Sequence, residues 1–342
     1  MKSKTKKLLL IPAVLLLAAA AVAFHFYRLL TGPVTSGNGF NVYVYPDSKA
    51  SDIYDQIIEA DSAAELRGLK LWLRYREYDT HVRSGCYTVG SMASAQTVAA
   101  ILDGGMQTPV NLTVRSRRKT GQIAHDIAGQ LMLDSAQVAG LLDDPQWLDS
   151  VGYSPATVFC MIIPETYQVY WNISPQALMD RLIKERERFW NDDRRQKAAD
   201  LGLDDVQVTT LASIIEEETA MADELPMVAG LYLNRLKIGM PLQADPTVIF
   251  ALGGERPKRV LREHLQVESP YNTYKVKGLP PAPIRFVNPR SIDAVLNHAE
   301  HKYLYMCAKE DFSGYHNFAT SYSQHKSNAV RYQRALNQRG IH

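Results

Sequence analysis

Three consecutive glutamates, Glu216, Glu217 and Glu218, close a helical pattern within the stretch 206–253, and only one of them falls where a helix should be apolar. At about 100° per residue and with Leu211 set at zero, Val208, Ile214, Ile215 and Ala222 lie within about 60° of it. Glu218 lands about 20° from Leu211, in the middle of that stripe, whereas Glu216 and Glu217 project about 140° and 240° round, the direction expected to be solvent. A carboxyl among apolar walls has its charged form disfavoured and its pKa raised, which is what a general acid working near neutral pH requires. The competing structural reading is a helix-end glutamate that pairs with an arginine, and Arg235 is the arginine within reach. It continues the stripe Met227, Val228 and Leu231 of a second helix, beside Asn234. The loop that follows, residues 239–247, carries Gln243, Asp245 and Thr247.

A second polar cluster lies in residues 269–284 (SPYNTYKVKGLPPAPI), where Tyr271 and Tyr274 flank Asn272 between prolines. Rings that pack on sugar faces and amides that bond hydroxyls suit a carbohydrate groove, and the alternative is a loop that caps the core. Glu165, in Pro164-Glu165-Thr166-Tyr167, is a further carboxylate at a loop leading into a strand.

These groups need a scaffold, and the chain is long enough to supply one. Its 342 residues begin with Lys2, Lys4, Lys6 and Lys7 and an uncharged run, residues 8–24, broken only by Pro12. Ala21-Val22-Ala23 fits a signal-peptide cleavage site. Counting on to Tyr27, however, gives about the 20 residues a bilayer needs, so residues 1–30 read as a retained single-pass transmembrane anchor. The lysine bias places the N-terminus in the cytoplasm and the remainder outside, at the cell membrane. The first 30 residues hold five of the 38 Lys and Arg and none of the 36 Asp and Glu, which leaves 33 against 36 beyond them. That balance argues against nucleic acid as a partner. Three scattered cysteines indicate neither a disulfide framework nor a zinc site, and His298 and His301 read as a solvated helix face, so neither metal nor cofactor is expected.

Residues 31–39 are turn-rich and read as a linker. A small α+β unit is then expected over 40–109, with strands at 40–45 and 86–89, helices at 46–60, 63–78 and 94–102, and Ser94 as an N-cap. A larger mixed α+β domain is expected over 110–342. It opens with a strand at 110–114 and a helix at 120–131 capped by Thr120, and is mostly helical from 135 to 194. Its close is a helix at 291–298, a strand at 303–308 and a tail helix from about Ser321.

The chain resembles the endolytic murein transglycosylases, the YceG-like proteins. The residues that carry the likeness are Leu211-Ala212-Ser213-Ile214-Ile215-Glu216, Glu218-Thr219, Asn234-Arg235-Leu236, Ile238-Gly239-Met240, Leu242-Gln243, Asp245-Pro246-Thr247-Val248-Ile249, Tyr271-Asn272-Thr273-Tyr274 and Gly278-Leu279-Pro280-Pro281. Pro164-Glu165-Thr166-Tyr167, His316, Phe318 and His325 extend it. The likeness implies a LysM-like subdomain at 40–109 and a catalytic domain at 110–342, with Glu218 catalytic. Candidate substrate-binding residues by the same likeness are Glu216, Asn234, Arg235, Gln243, Asp245, Thr247, Tyr271, Asn272 and Tyr274. Three positions depart from the family pattern: Glu217, where a basic or polar residue is usual, a long segment over 283–289, and Ala319 in place of a small hydroxyl residue.

By the same resemblance the substrate is the glycan strand of peptidoglycan, cut at the β-1,4 bond between N-acetylmuramic acid and N-acetylglucosamine to leave a 1,6-anhydro end. Cell-wall synthases are the candidate protein partners. Two rivals remain open on the residues alone. A hydrolase would use Asp245 or Glu165 to activate water, and a membrane-tethered glycan-binding protein would keep Glu218 for structure.

Overall fold

The computed structural model describes residues 2–253 and 260–340, with side chains from residue 12 onward. The chain divides into two compact units, one formed by Met1–Asn111 with Gln168–Ile173 and the other by Leu112–Tyr167 with Ser174–His342. The return of 168–173 to the first unit is invisible in a linear reading, because it depends on contacts between residues about a hundred positions apart.

The first unit begins with α1 (Lys2–Thr31), of which Pro12–Thr31 is 20 residues with a mean hydropathy of 1.9 and no burial. Then come β1 (Phe40–Val44), α2 (Ala50–Ala60), α3 (Arg67–Tyr75), β2 (Gly85–Val89) and α4 (Ala95–Gly104). β1 and β2 form an antiparallel ribbon in the register Phe40 to Val89. Strand alternation buries Val42 and Val44 with Ile53, Ile57, Leu69, Leu73, Val98 and Leu102 in one core. Ser94 caps α4 as expected, accepting from the Thr97 amide at 3.1 Å. The helix expected over 63–78 is confined to α3, because Asp61 accepts the amide of Ala63 in a turn and Glu77 adopts a left-handed φ of 51°. Within this unit the Trp72 indole donates to the Leu30 carbonyl at 3.0 Å, tying α3 to the end of α1.

The second unit is mixed α+β. Its elements are β3 (Val110–Thr113, whose first two residues belong to the first unit), α5 (Thr120–Ala128), α6 (Ser135–Asp143), α7 (Pro145–Ser150), β4 (Thr166–Val169, whose last two residues belong to the first unit), α8 (Pro175–Phe189), α9 (Asp192–Asp200), α10 (Asp205–Glu218), α11 (Leu225–Lys237), α12 (Asp245–Ala251), α13 (Pro289–Leu296), β5 (Tyr305–Ala308), β6 (His316–Ala319) and α14 (Tyr322–Gln338). Lys119, rather than Thr120, precedes α5 as its cap, and the Thr120 hydroxyl donates to Asp143 instead. α13 ends at Leu296, so His298 and His301 lie beyond it and are half-buried, not on a solvated helix face. The His301 ring reaches the Met227 carbonyl at 2.9 Å. Residues 245–247, expected in a loop, begin α12.

α10 is the centre of this unit. A capping box fixes its start: Asp204 accepts the Gln207 amide at 2.7 Å while the Gln207 side chain accepts the Asp204 amide at 3.0 Å. Every residue from Val208 to Ile215 is buried, with α9, α11, α12 and α13 packed around it. Thr209, Thr210 and Ser213 are buried polar residues on this helix, and each donates its hydroxyl to a carbonyl one turn back at 2.6–2.7 Å. The helix therefore has no solvent face for Glu216 and Glu217 to occupy, and Ala222, counted in the apolar stripe, lies past its end and is exposed.

Candidate active site

α10 ends on its three glutamates, and the structure gives each a different environment. The C-terminal end of a helix carries partial negative charge, so three carboxylates there are unfavourable unless cations or protons compensate. Two are compensated by arginines. Glu216 is 7% exposed and Glu217 5% exposed in their side chains, which overturns the outward direction expected for both. Glu216 accepts from the Asn288 amide at 2.9 Å, the Asn288 side chain at 2.7 Å and the hydroxyls of Ser116 and Ser291 at 2.8 Å, with Arg285 at 3.2 Å. Glu217 accepts from Arg118 Nε at 2.6 Å and Arg285 Nη1 at 2.5 Å. The segment 283–289 supplies this clamp. Its Ile284 amide donates to Ser213 Oγ at 3.1 Å and its Phe286 amide to the Arg117 carbonyl at 2.9 Å, which lays Arg285 across the end of α10.

Glu218 has no such clamp. Its carboxyl accepts from the Tyr232 hydroxyl of α11 at 2.8 Å. The Arg235 guanidinium, offered by the sequence as its structural partner, is 8% exposed and donates to the carbonyls of Leu304, at 2.7 Å, and Leu242. Burial raises the Glu218 pKa from 4.5 to about 7; the Tyr232 hydrogen bond opposes this, the charge of Asp245 adds to it, Arg235 opposes it and Glu217 adds to it. As a whole residue Glu218 is half-buried. Thr219, immediately after it, is anchored through its hydroxyl to Glu224 at 2.9 Å, and Glu224 in turn holds His316 Nδ1 at 2.7 Å and the His316 amide at 2.7 Å. This fixes the chain direction just past the carboxyl.

The raised pKa has a signed consequence. Folded Glu218 keeps its proton up to about 7, whereas a solvated glutamate loses it near 4.5. Its favourable contribution to folding is therefore complete below the lower value and is lost as pH rises through the higher one. Tyr232→Phe removes a bond that favours the carboxylate and should move the titration above 7, while Asp245→Asn removes a like charge and should move it below. Infrared titration of the carboxyl stretch, assigned by difference against Glu218→Gln, reads both shifts. A midpoint near 4.5 in the unaltered protein would contradict this account.

The other sequence-derived candidates separate into two groups. Gln243 and Asp245 are exposed, and Tyr271 and Tyr274 are half-buried. The Tyr274 hydroxyl donates to Asp245 at 2.6 Å, and Gln243 holds a left-handed φ of 51° while its amide donates to the Thr273 carbonyl at 3.0 Å. Asp245 also raises the Glu218 pKa through its charge, which puts Asp245 and Tyr274 in the carboxyl's electrostatic surroundings. The second group is framework. Asn272 is fully buried and spends both amide hydrogens on the carbonyls of Leu265 and Val267 at 2.9 and 2.8 Å. Thr247 is fully buried and bonds the Ala244 carbonyl at 2.7 Å and Thr273 at 2.9 Å. Asn234 donates to the carbonyls of His301 and Tyr303 at 2.8 and 3.1 Å. Asn272, Thr247, Asn234, Arg235 and Glu216 thus bond their polar atoms to partners within the protein. Tyr232, Arg118, Arg285, Ser116 and Glu224 were missed. The one sequence signal for them was the long 283–289 segment with its lone Arg285.

The YceG-like family model matches residues 42–331, across both units. The Bacillus subtilis endolytic murein transglycosylase is 28% identical over 309 residues, covering 84% of each chain. The Streptococcus pneumoniae protein of the same name is 24% identical over 269 residues, 69% of this chain, which spans about half of that longer relative (48%). A crystal structure of a putative yceG-like protein from Listeria monocytogenes superposes with a TM-score of 0.58 at 27% identity, covering 85% of this chain and 98% of that one. With the match running through the end of α10, the clamp on its glutamates and the closing β5–β6 ribbon, the chain belongs to the YceG-like family.

Proposed function

We propose that this chain is a lytic transglycosylase, a lyase acting on the glycan strands of peptidoglycan, with Glu218 as its acid and base. The observation that carries this reading is the sorting of three adjacent carboxyls. Two are neutralised by arginines, and one, next to an open loop, is left to hold a proton near neutral pH. Glu218 donates that proton to the bridging oxygen as the bond to the muramyl C1 breaks. As carboxylate it then takes the proton of the muramyl C6 hydroxyl while that oxygen closes on C1. Atoms balance without water, and the cut strand ends in a 1,6-anhydro ring. Asp245, Gln243, Tyr271 and Tyr274 are the residues open to bind the sugars.

A hydrolase would need a second carboxylate free to activate water. Asp245 is engaged by Tyr274 and Glu165 is exposed at the loop before β4, so neither is prepared for that role. Digestion of uncrosslinked glycan by the full chain in ¹⁸O water tests the assignment. Unlabelled anhydro ends are expected, and reducing muramyl ends carrying heavy oxygen would overturn it.

Residues 12–31 support a retained single-pass anchor with the second unit extracytoplasmic, which would place the active site near newly made strands and their synthases. A mature protein beginning at Phe24 would exclude that anchor. The LysM-like reading of residues 40–109 is supported by the family match beginning at Val42 and by the compact ribbon-and-helix core. Loss of binding to insoluble glycan on deleting those residues is its test, and undiminished binding would remove it.

A further inference from the structure

A groove of about 560 Å³ runs beside the end of α10, lined by residues of the second unit alone, Thr219 and Ala220 among them. Four arginines reach it, and their partners differ. Arg117 is paired with Asp126 at 2.6 Å, and Arg285 is consumed by Glu216 and Glu217. Arg115 and Arg290 are exposed and make no ion pair or side-chain hydrogen bond with the described residues. Of the two acids that line the groove, Glu216 is matched by Arg285, which leaves Glu165 as the acid beside two unspent guanidiniums. The remaining wall carries the hydroxyls of Ser116 and Ser291 and the amide of Asn288, which are spent on Glu216, and the hydroxyls of Thr113 and Thr166, which bond each other, beside the apolar Val114, Pro164 and Leu225. Two free guanidiniums in a concave, hydroxyl-lined wall are built to accept carboxylates, which guanidinium forks bind bidentately.

We propose that this groove is a subsite for carboxylates of the substrate, and that Arg115 and Arg290 recognise the acidic peptide carried by the muramyl unit whose bond Glu218 cleaves. The proposal rests on the murein reading above and adds the feature of murein that is read. Thr219, one residue beyond the acid, lines the groove, and on the murein reading a substituent on the muramyl ring is the part of the strand assigned to it. A second source of the same chemistry is the lactyl carboxylate left on strands whose peptides have been removed.

The test compares the full chain with Arg115→Gln/Arg290→Gln on three uncrosslinked substrates: peptide-bearing strands, the same strands with their carboxylates converted to amides, and peptide-stripped strands. On peptide-bearing strands the double variant should lose about tenfold or more in kcat/KM, the size of charge-assisted bonds to a carboxylate. Amidation should cost the unaltered chain a similar factor and bring the two proteins together. Peptide-stripped strands should also bring them together; a difference that persists there would assign the groove to the lactyl group and overturn the peptide reading. Equal kcat/KM for both proteins on peptide-bearing strands would overturn the proposal altogether, and both side chains are exposed enough that thermal melts should match. Binding of the free stem peptide and its amidated form by calorimetry gives an answer even without lyase activity. Tight binding of the acidic form alone, abolished by the double substitution, would support the subsite with the cleavage reading in error, and absence of binding in both proteins would count against the subsite itself.

Discussion

Glu218→Gln is expected to cut glycan cleavage by about a thousandfold or more, the range in which acid-base groups contribute, while leaving the fold and glycan binding in place. The amide keeps the shape and can still accept from Tyr232, which lies 2.8 Å away. What it lacks is the proton. Replacing a buried carboxyl that is largely protonated below about pH 7 by a neutral amide should cost little stability, and near neutral pH it removes a group whose ionisation opposes folding. Melting temperatures measured at pH 6 and pH 8 should therefore converge in the variant relative to the unaltered chain. A variant that unfolds, or that still cleaves at more than about a tenth of the normal rate, would remove Glu218 from the catalytic role.

Arg285→Met should produce the largest loss of stability. The guanidinium is 15% exposed and joins Glu216, at 3.2 Å, to Glu217, at 2.5 Å, so its loss removes the ion pair of Glu216 among the described residues and one of those of Glu217. Breaking a buried pair from one side costs about 3–5 kcal/mol, because the remaining charge stays desolvated. Denaturant unfolding reads this directly. The double variant Arg285→Met/Glu217→Gln should recover part of it by removing the stranded charge, and a single variant within about 1 kcal/mol of the unaltered chain would show that the clamp is not structural. Cleavage should fall as well, since the clamp fixes the last turn of α10 from which Glu218 projects. The outward direction that helical angles assign to Glu216 and Glu217 would have made substitutions there mild. The structure instead predicts that Glu216→Gln destabilises, because a side-chain amide presents two hydrogens to an environment already made of donors: Asn288, Ser116, Ser291 and Arg285.

What the sequence by itself determined lies along single elements. The 100° step of a helix put Glu218 among apolar neighbours, strand alternation placed β1, and Ser94 announced the start of α4. Those signals are local, and they survive because each is repeated every turn or every second residue. Periodicity also misled where it assumed one wet face, since α10 is covered by its chain neighbours α9 and α11 together with α12 and α13. Which polar residues face a ligand was likewise undecided by type. Asn272 and Tyr274 sit two positions apart in one motif, yet the first is fully buried against backbone carbonyls and the second reaches Asp245. Only the tertiary structure made that distinction, and it alone brought Arg118 and Arg285, 99 and 68 positions from Glu217, to the same carboxylate. The physical reason is that a buried charge must be matched wherever the fold brings a partner within about 3 Å, and that match leaves no periodic trace in the chain.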